Sequence, residues 1–90
     1  MTDTHPQKIR VERVQTGVRM EKRLLKVLKA LAEYLDLSLG DLMEGLLLYA
    51  LEGKAPPLGD DTLQRIQALK EVYDMDYDAS ASHNFIEEEA

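Results

Sequence analysis

The sequence predicts a mainly α-helical protein with one N-terminal β-strand that pairs with the same strand of a second copy in an intertwined homodimer. Three observations predict this architecture. Residues 14–20 read "VQTGVRM", where apolar and polar residues alternate as on a half-buried strand. From Lys22 the apolar residues recur at the period of a helix. No second strand is recognisable, and an unpaired strand leaves its backbone groups unsatisfied, so a second copy is expected to supply the partner.

The strand is predicted at residues 13–20, after a flexible basic arm at residues 1–12. Its alternation gives an apolar face of Thr16, Val18 and Met20 and a polar face of Gln15, Gly17 and Arg19. Two copies related by a two-fold axis would pair these strands antiparallel, as a two-stranded ribbon. The apolar faces would then cover the joint helical core.

Two helices are predicted to follow the strand and to complete a dimerisation domain over residues 13–53. The first, at about 22–35, has an apolar stripe at helical spacing. Ser38 is a good N-cap for the second, and Gly53 is a plausible stop. This second helix is apolar around most of its circumference and needs a larger interior than a 90-residue monomer provides. The predicted dimer core consists of Thr16, Val18, Met20, Leu24, Leu28, Leu31, Met43 and Leu47.

The remaining chain is predicted as three segments. Residues 54–60 contain two prolines and form a linker. Residues 61–73 have a narrower apolar stripe and form a third helix, which either packs on the core or serves as a separate contact surface. Residues 74–90 are acidic, lack a sustained period and are expected to form a flexible tail.

The net charge of −6 conceals two regions of opposite charge. The first 29 residues contain eight basic and three acidic residues, a balance of +5, whereas the other 61 contain three basic and fourteen acidic residues, a balance of −11. Such asymmetry indicates that the N-terminal part faces a polyanion.

Several classes of function are not indicated. There is no cysteine, no N-terminal signal pattern, and no apolar run longer than six residues, so a cytoplasmic protein without a membrane partner is expected. The three alternating aspartates at residues 74–78 lack the glycine and glutamate that a calcium loop requires. No catalytic arrangement is visible. We therefore expect no enzyme activity, no metal and no cofactor.

Residues 14–52, which begin "VQTGVRMEKRLLKVLKALAEYLDLSLGDLMEGLLLYAL", resemble the ribbon-helix-helix DNA-binding domains of the Arc, MetJ and CopG type. The resemblance implies that the ribbon enters the DNA major groove. It also implies that the N-terminus of the second helix clamps a phosphate. The residues that correspond to the base-reading positions are Gln15, Gly17 and Arg19, and those of the phosphate clamp are Ser38, Leu39 and Gly40.

The side-chain chemistry supports base reading by Gln15 and Arg19, whereas Gly17 has no side chain to read with and would let the ribbon lie closer to the bases. Glutamine can bond bidentately to adenine and arginine to guanine, and each good pair discriminates by about 1–3 kcal/mol. Lys22 and Arg23 lie just after the strand and are expected to contact phosphates, which positions the protein on DNA without specifying a sequence.

The predicted function is that of a sequence-specific DNA-binding transcriptional regulator, expected to be a repressor that is nucleoid-associated when bound. Its partners would be double-stranded DNA and a second copy, with pairs of dimers cooperating on repeated half-sites. Two alternatives stay open. One is a dimeric protein-interaction module. The other is an antitoxin, in which the third helix and the acidic tail bind a protein partner.

Overall fold

Three α-helices follow one another in the computed structural model, which describes residues 8–88. Helix α1 covers Lys22–Tyr34, α2 covers Leu39–Leu51 and α3 covers Asp60–Val72, and a short 3₁₀ helix follows at Ala79–Ala81. Helix α1 packs against both α2 and α3. The mainly helical character is thus confirmed, and each of the three predicted helices is present with ends within one or two residues of the prediction.

Side chains just before α1 and α2 explain where these helices begin. The carboxylate of Glu21 accepts hydrogen bonds from the backbone N–H of Arg23 and of Leu24, both at 3.1 Å. Ser38 Oγ accepts from the N–H of Asp41 at 3.1 Å, as predicted for an N-cap. In each case a side-chain oxygen satisfies a first-turn donor that has no partner within the helix.

All three helices end with a residue in the left-handed conformation. These residues are Asp36 (φ 57°), Gly53 (φ 68°) and Asp74 (φ 54°). At each end the next residue donates its N–H back to the carbonyl five positions earlier: Leu37 to Ala32 at 2.9 Å, Lys54 to Tyr49 at 3.0 Å, and Met75 to Lys70 at 2.8 Å. This is the Schellman arrangement, which reverses the chain while satisfying the last carbonyls.

The core lies between α1 and its two neighbours. Its buried side chains are Val27, Leu31, Ala32 and Leu42. Half-buried residues of the three helices and of the C-cap of α1 pack against this centre: Leu28, Leu35, Leu46, Ile66 and Leu69. Helix α3 therefore belongs to the core, the first of the two possibilities that the sequence left open.

The prediction of an N-terminal strand is wrong, and so is the ribbon-helix-helix architecture that depended on it. Residues 8–21 form no regular element, and no β-strand occurs anywhere in residues 8–88. The alternation in "VQTGVRM" determines only which side chains would share a face of an extended chain. A strand also needs a hydrogen-bonded neighbour, and the described part of the chain supplies none. Residues 8–88 therefore contain no strand for the predicted two-stranded ribbon, and the intertwined arrangement of two chains that depended on this ribbon is withdrawn.

The residues predicted as dimer core are consequently divided between the monomer core and the surface. Leu31 is buried, and Met20, Leu24, Leu28 and Met43 are half-buried. Thr16, Val18 and Leu47 are exposed, Val18 to 70%.

The two ends of the chain are described unequally. Residues 1–7 of the predicted arm and residues 89–90 of the predicted tail lie outside the described residues. Within the predicted tail, Tyr77 forms a hydrogen bond with Glu21, and its ring meets Phe85 edge to face at 5.2 Å between centroids. Residues 75–85 thus fold back along the N-terminal end of α1.

Candidate nucleic-acid interface

The first turns of α1 present three lysines to solvent. Lys22, Lys26 and Lys29 follow one another at i, i+4 and i+7, the spacing that places side chains on one side of a helix, and all three are exposed. We call them the lysine face. At a rise of 1.5 Å per residue the lysine face extends over about 10 Å, a length along which duplex DNA carries about six phosphate charges.

Residues 8–20, here called the extended segment, continue this positive charge. Its basic residues, Lys8, Arg10, Arg13 and Arg19, are all exposed. Of the eight basic residues in the first 29 positions, only Arg23 is half-buried. The positive charge that the sequence concentrates in its first 29 residues is therefore mostly accessible to solvent.

The three predicted base-reading residues lie in the extended segment. Gln15 and Arg19 are exposed, and neither side chain forms a hydrogen bond with another residue of the described chain. Gly17 faces open space, because a Cβ added there would meet nothing within 4 Å. Side chains suited to base contacts are thus free, but no ribbon holds them in register.

An ion pair that the sequence analysis missed links the extended segment to α2. Arg13 Nη2 donates to Glu44 Oε1 at 2.8 Å, and this hydrogen bond raises the pKa of Arg13. Both side chains are largely exposed, so the pair contributes little stability. The ion pair instead fixes a position, because it holds Arg13 of the extended segment against α2.

The predicted phosphate clamp is present as a helix N-terminus. Ser38 and Gly40 are exposed and Leu39 is half-buried. The amides of Leu39 and Gly40 have no hydrogen-bond partner among residues 8–88, as expected for the first turn. Asp41 already places a negative charge in the same turn. Helix capping accounts for this geometry without an anion.

Arg23, predicted as a phosphate contact, is held within the chain. Its guanidinium donates to Glu21 at 3.2 Å and to the Asp76 carboxylate at 3.1 Å. A further hydrogen bond of 3.1 Å goes to the Asp74 carbonyl, and the guanidinium lies 5.4 Å from the centre of the Tyr77 ring. The two neighbours Lys22 and Arg23 therefore differ: the first is open to solvent and the second is engaged by the C-terminal segment.

Glu21 is the centre of this cluster. The Tyr77 hydroxyl donates to Glu21 Oε1 at 2.5 Å, in addition to the two backbone donors and the Arg23 guanidinium. Partial burial by itself would raise the pKa of Glu21, but the hydrogen bonds outweigh it and lower the pKa to about 2. Burial and the bond to Glu21 raise the pKa of Tyr77 to about 12. The pair thus consists of a carboxylate and a neutral phenol over a wide pH range.

A second surface is apolar and belongs to α2. Leu47, Leu48 and Leu51 lie on the side of α2 away from buried Leu42, and they are exposed, Leu48 to 66% and Leu51 to 85%. We call them the leucine face. Glu44 lies on the same side one turn earlier, where Arg13 neutralises its charge. The high apolar content of α2 in the sequence therefore corresponds to an uncovered surface on the single chain.

The described part of the chain shows neither a group of metal ligands nor a helix that could span a membrane. Within residues 8–88 there is no group of three or more His, Cys, Asp or Glu side chains that could hold a metal ion. None of the helices α1 to α3 has the length and apolar character needed to cross a membrane.

Comparison of the chain with protein-family models, curated proteins and solved structures finds no match. The functional proposal therefore depends on the residues themselves.

Proposed function

We propose that this chain is a DNA-binding regulator that contacts DNA with the lysine face and the extended segment. The observation that carries the proposal is the accessible positive charge of residues 8–29 on a chain whose net charge is −6. An acidic protein that concentrates most of its exposed basic residues in one stretch of the chain provides a region of favourable potential for a polyanion. A regulator of this kind would act in the cytoplasm, on the nucleoid, and would repress by occupying its site.

The two parts of the surface would have different roles. The lysine face suits the phosphate backbone, because a lysine ammonium acts as a compact point charge without base preference. Gln15 and Arg19 supply donor groups that fit base edges, and neither is engaged by another described residue. Gly17 between them lets the backbone approach the DNA closely.

A homodimer is part of the proposal, and the leucine face supports it. Leu47, Leu48 and Leu51 form an apolar surface flanked by two acidic residues, Glu44, which is paired with Arg13, and Glu52, which directly follows Leu51. A two-fold axis through such a surface would place leucines against leucines. Two lysine faces in one particle would also double the number of phosphate contacts.

Salt-dependent binding of the purified chain to a mixed-sequence DNA duplex tests the proposal. We expect the logarithm of the binding constant to fall linearly with the logarithm of salt concentration, with a slope of about −0.9 per neutralised phosphate. Lys22→Ala and Lys26→Ala should each weaken binding to all sequences and reduce this slope by about 1. Lys54→Ala removes a lysine that is also exposed but lies outside the lysine face, and it is the matched control.

Arg19→Ala tests base recognition separately. Selection from random duplexes should give a base preference for the natural chain, and the variant should lose it at one position while it retains the salt slope. If the natural chain binds no duplex at low salt, the DNA-binding proposal is wrong.

A second candidate function, a dimeric protein-interaction module, is favoured by the leucine face. In this version the chain associates through α2 and binds a protein. An antitoxin would combine both roles. Sedimentation at micromolar concentration should show a dimer that Leu48→Lys converts to a monomer, whereas Leu63→Lys, at an exposed leucine of α3, should leave it dimeric. A dimer that binds no DNA would favour the interaction module.

A further inference from the structure

We propose that residues 74–78 regulate DNA binding by occupying Arg23, so that this segment and a DNA phosphate compete for the same guanidinium. The inference depends on the proposed DNA-binding function and adds its regulation. It assigns a role to the acidic sequence "DMDYD", which the lysine face and the extended segment leave unexplained.

The contacts of Arg23 resemble those that a phosphate would make. Its Nη1 donates to two oxygens at 3.1 Å each, the Asp76 carboxylate and the Asp74 carbonyl. Arginine presents planar donors that suit carboxylate and phosphate oxygens alike. A phosphate could therefore replace the two acceptors without a new geometry at the guanidinium.

Within residues 74–78, Tyr77 is held in place by its contacts, whereas the Asp76 side chain can be displaced from Arg23. Tyr77 is half-buried, bonded to Glu21 and packed against Phe85, so it holds the segment at the start of α1. The Asp76 side chain is 84% exposed and reaches Arg23 from solvent. An exposed ion pair is weak and is screened by salt. A dense polyanion can therefore displace Asp76 while Tyr77 stays in place.

Residues 74–78 lie close to other basic residues of α1, so their effect on DNA affinity extends beyond the ion pair of Arg23 with Asp76. Arg23 lies within the sequence of the lysine face, between Lys22 and Lys26, and Lys26 Nζ lies 6.0 Å from the centre of the Tyr73 ring, directly before the segment. Asp74 and Asp76, which both accept hydrogen bonds from Arg23, thus bring negative charge to the basic end of α1. Their expected effect is a lower affinity for DNA than the lysine face would have alone.

The test compares DNA binding by the full chain and by Asp76→Asn, which removes the charge and retains the shape. We expect Asp76→Asn to bind a mixed-sequence duplex roughly three- to tenfold more tightly at low salt, with the gain shrinking as salt rises. Asp61→Asn makes the same change in the first turn of α3 and should alter affinity less than about twofold.

A double-mutant cycle assigns the effect to Arg23. In an Arg23→Gln background most of the gain from Asp76→Asn should disappear, because the competing guanidinium is absent and only the weaker effect of the Asp76 charge on the lysine face remains. If the gain persists undiminished, occupation of Arg23 is not its cause and the proposal is overturned. Circular dichroism of each variant establishes that it is folded.

The outcomes also distinguish the proposal of DNA binding from the proposal that residues 74–78 regulate it. If the natural chain binds DNA and Asp76→Asn binds no better than Asp61→Asn, regulation by residues 74–78 is wrong and DNA binding stands. If neither the natural chain nor Asp76→Asn binds, both proposals fail.

A second measurement uses the natural chain alone and does not depend on the folding of any variant. Addition of duplex DNA should shift the NMR signals of Arg23 Nε and of the Asp76 amide together, because one contact replaces the other. Binding of DNA with the Asp76 signal unchanged would contradict displacement.

Discussion

Replacement of Tyr77 by phenylalanine tests the contact that joins the two ends of the chain. Tyr77→Phe removes the hydroxyl that donates to Glu21 Oε1 at 2.5 Å and leaves the ring in its edge-to-face position on Phe85. Glu21 keeps its two backbone donors and the Arg23 guanidinium. The substitution therefore removes one charge-assisted hydrogen bond with little change in packing.

The expected loss follows from the environment of Glu21. A hydrogen bond to a charged group contributes about 1.5–3 kcal/mol. Because the Glu21 side chain is 22% exposed and water can partly replace the lost donor, we expect the free energy of unfolding to fall by about 1–2 kcal/mol. For a domain of this size such a change lowers Tm by about 4–16 °C.

The pKa values of Glu21 and Tyr77 also predict how the stability lost in Tyr77→Phe changes with pH. The folded pKa of Glu21, about 2, lies below its ordinary value of 4.5, so its bonds stabilise the fold fully above pH 4.5, and this stability is lost as the pH falls towards 2. The difference between Tyr77→Phe and the natural chain should therefore be largest near neutral pH and shrink in acid. The pKa of Tyr77 is raised from 10.0 to about 12, so the natural chain should also lose this advantage as the pH rises through that interval.

Urea unfolding followed by circular dichroism measures the stability, and an NMR titration measures the pKa of Glu21, which should rise in Tyr77→Phe. Tyr34→Phe is the matched control, because its hydroxyl has no hydrogen-bond partner in residues 8–88, while Arg65 lies 4.6 Å from the centre of its ring. Equal stability of the two variants, together with an unchanged pKa of Glu21, would refute the reasoning.

Three further predictions concern the helices and are measured by urea unfolding. Leu42→Ala should cost about 2–4 kcal/mol, because Leu42 is the buried residue by which α2 enters the core; a cost below 1 kcal/mol would mean that α2 does not pack there. Ser38→Ala should cost about 1 kcal/mol through loss of the N-cap bond, and Ser38→Asp should restore it. Gly53→Ala should cost about 1 kcal/mol because φ is 68°, whereas Gly17→Ala, in open space, should cost less than about 0.5 kcal/mol, and equal costs would contradict this account.

The helices were predictable because their signals are local. The apolar stripe of α1, the hydroxyl of Ser38 and the conformational freedom of Gly53 each act within about one turn, and the structure contains all three features. The ends of α1 and α3 are harder to predict from the sequence, because Asp36 and Asp74 stand there and aspartate adopts the left-handed conformation less readily than glycine.

The strand was not predictable in the same way. Alternation in residues 14–20 is also a local pattern, but a strand is stable only through hydrogen bonds to another strand, and no local pattern states whether that neighbour exists. Residues 8–88 contain none, and the same residues lie in an irregular extended segment with Val14 and Val18 exposed.

The sequence by itself determined three helices and the separation of positive from negative charge, because period, capping and charge are properties of neighbouring residues. Only the tertiary structure decided which charges remain accessible. Lys22 and Arg23 are adjacent and each carries one positive charge, yet Lys22 is open to solvent and Arg23 is bonded to Asp76, 53 positions away. A contact over that separation exists only because the chain turns back after α3 and Tyr77 bonds to Glu21. No pattern within a few residues of Arg23 records this contact.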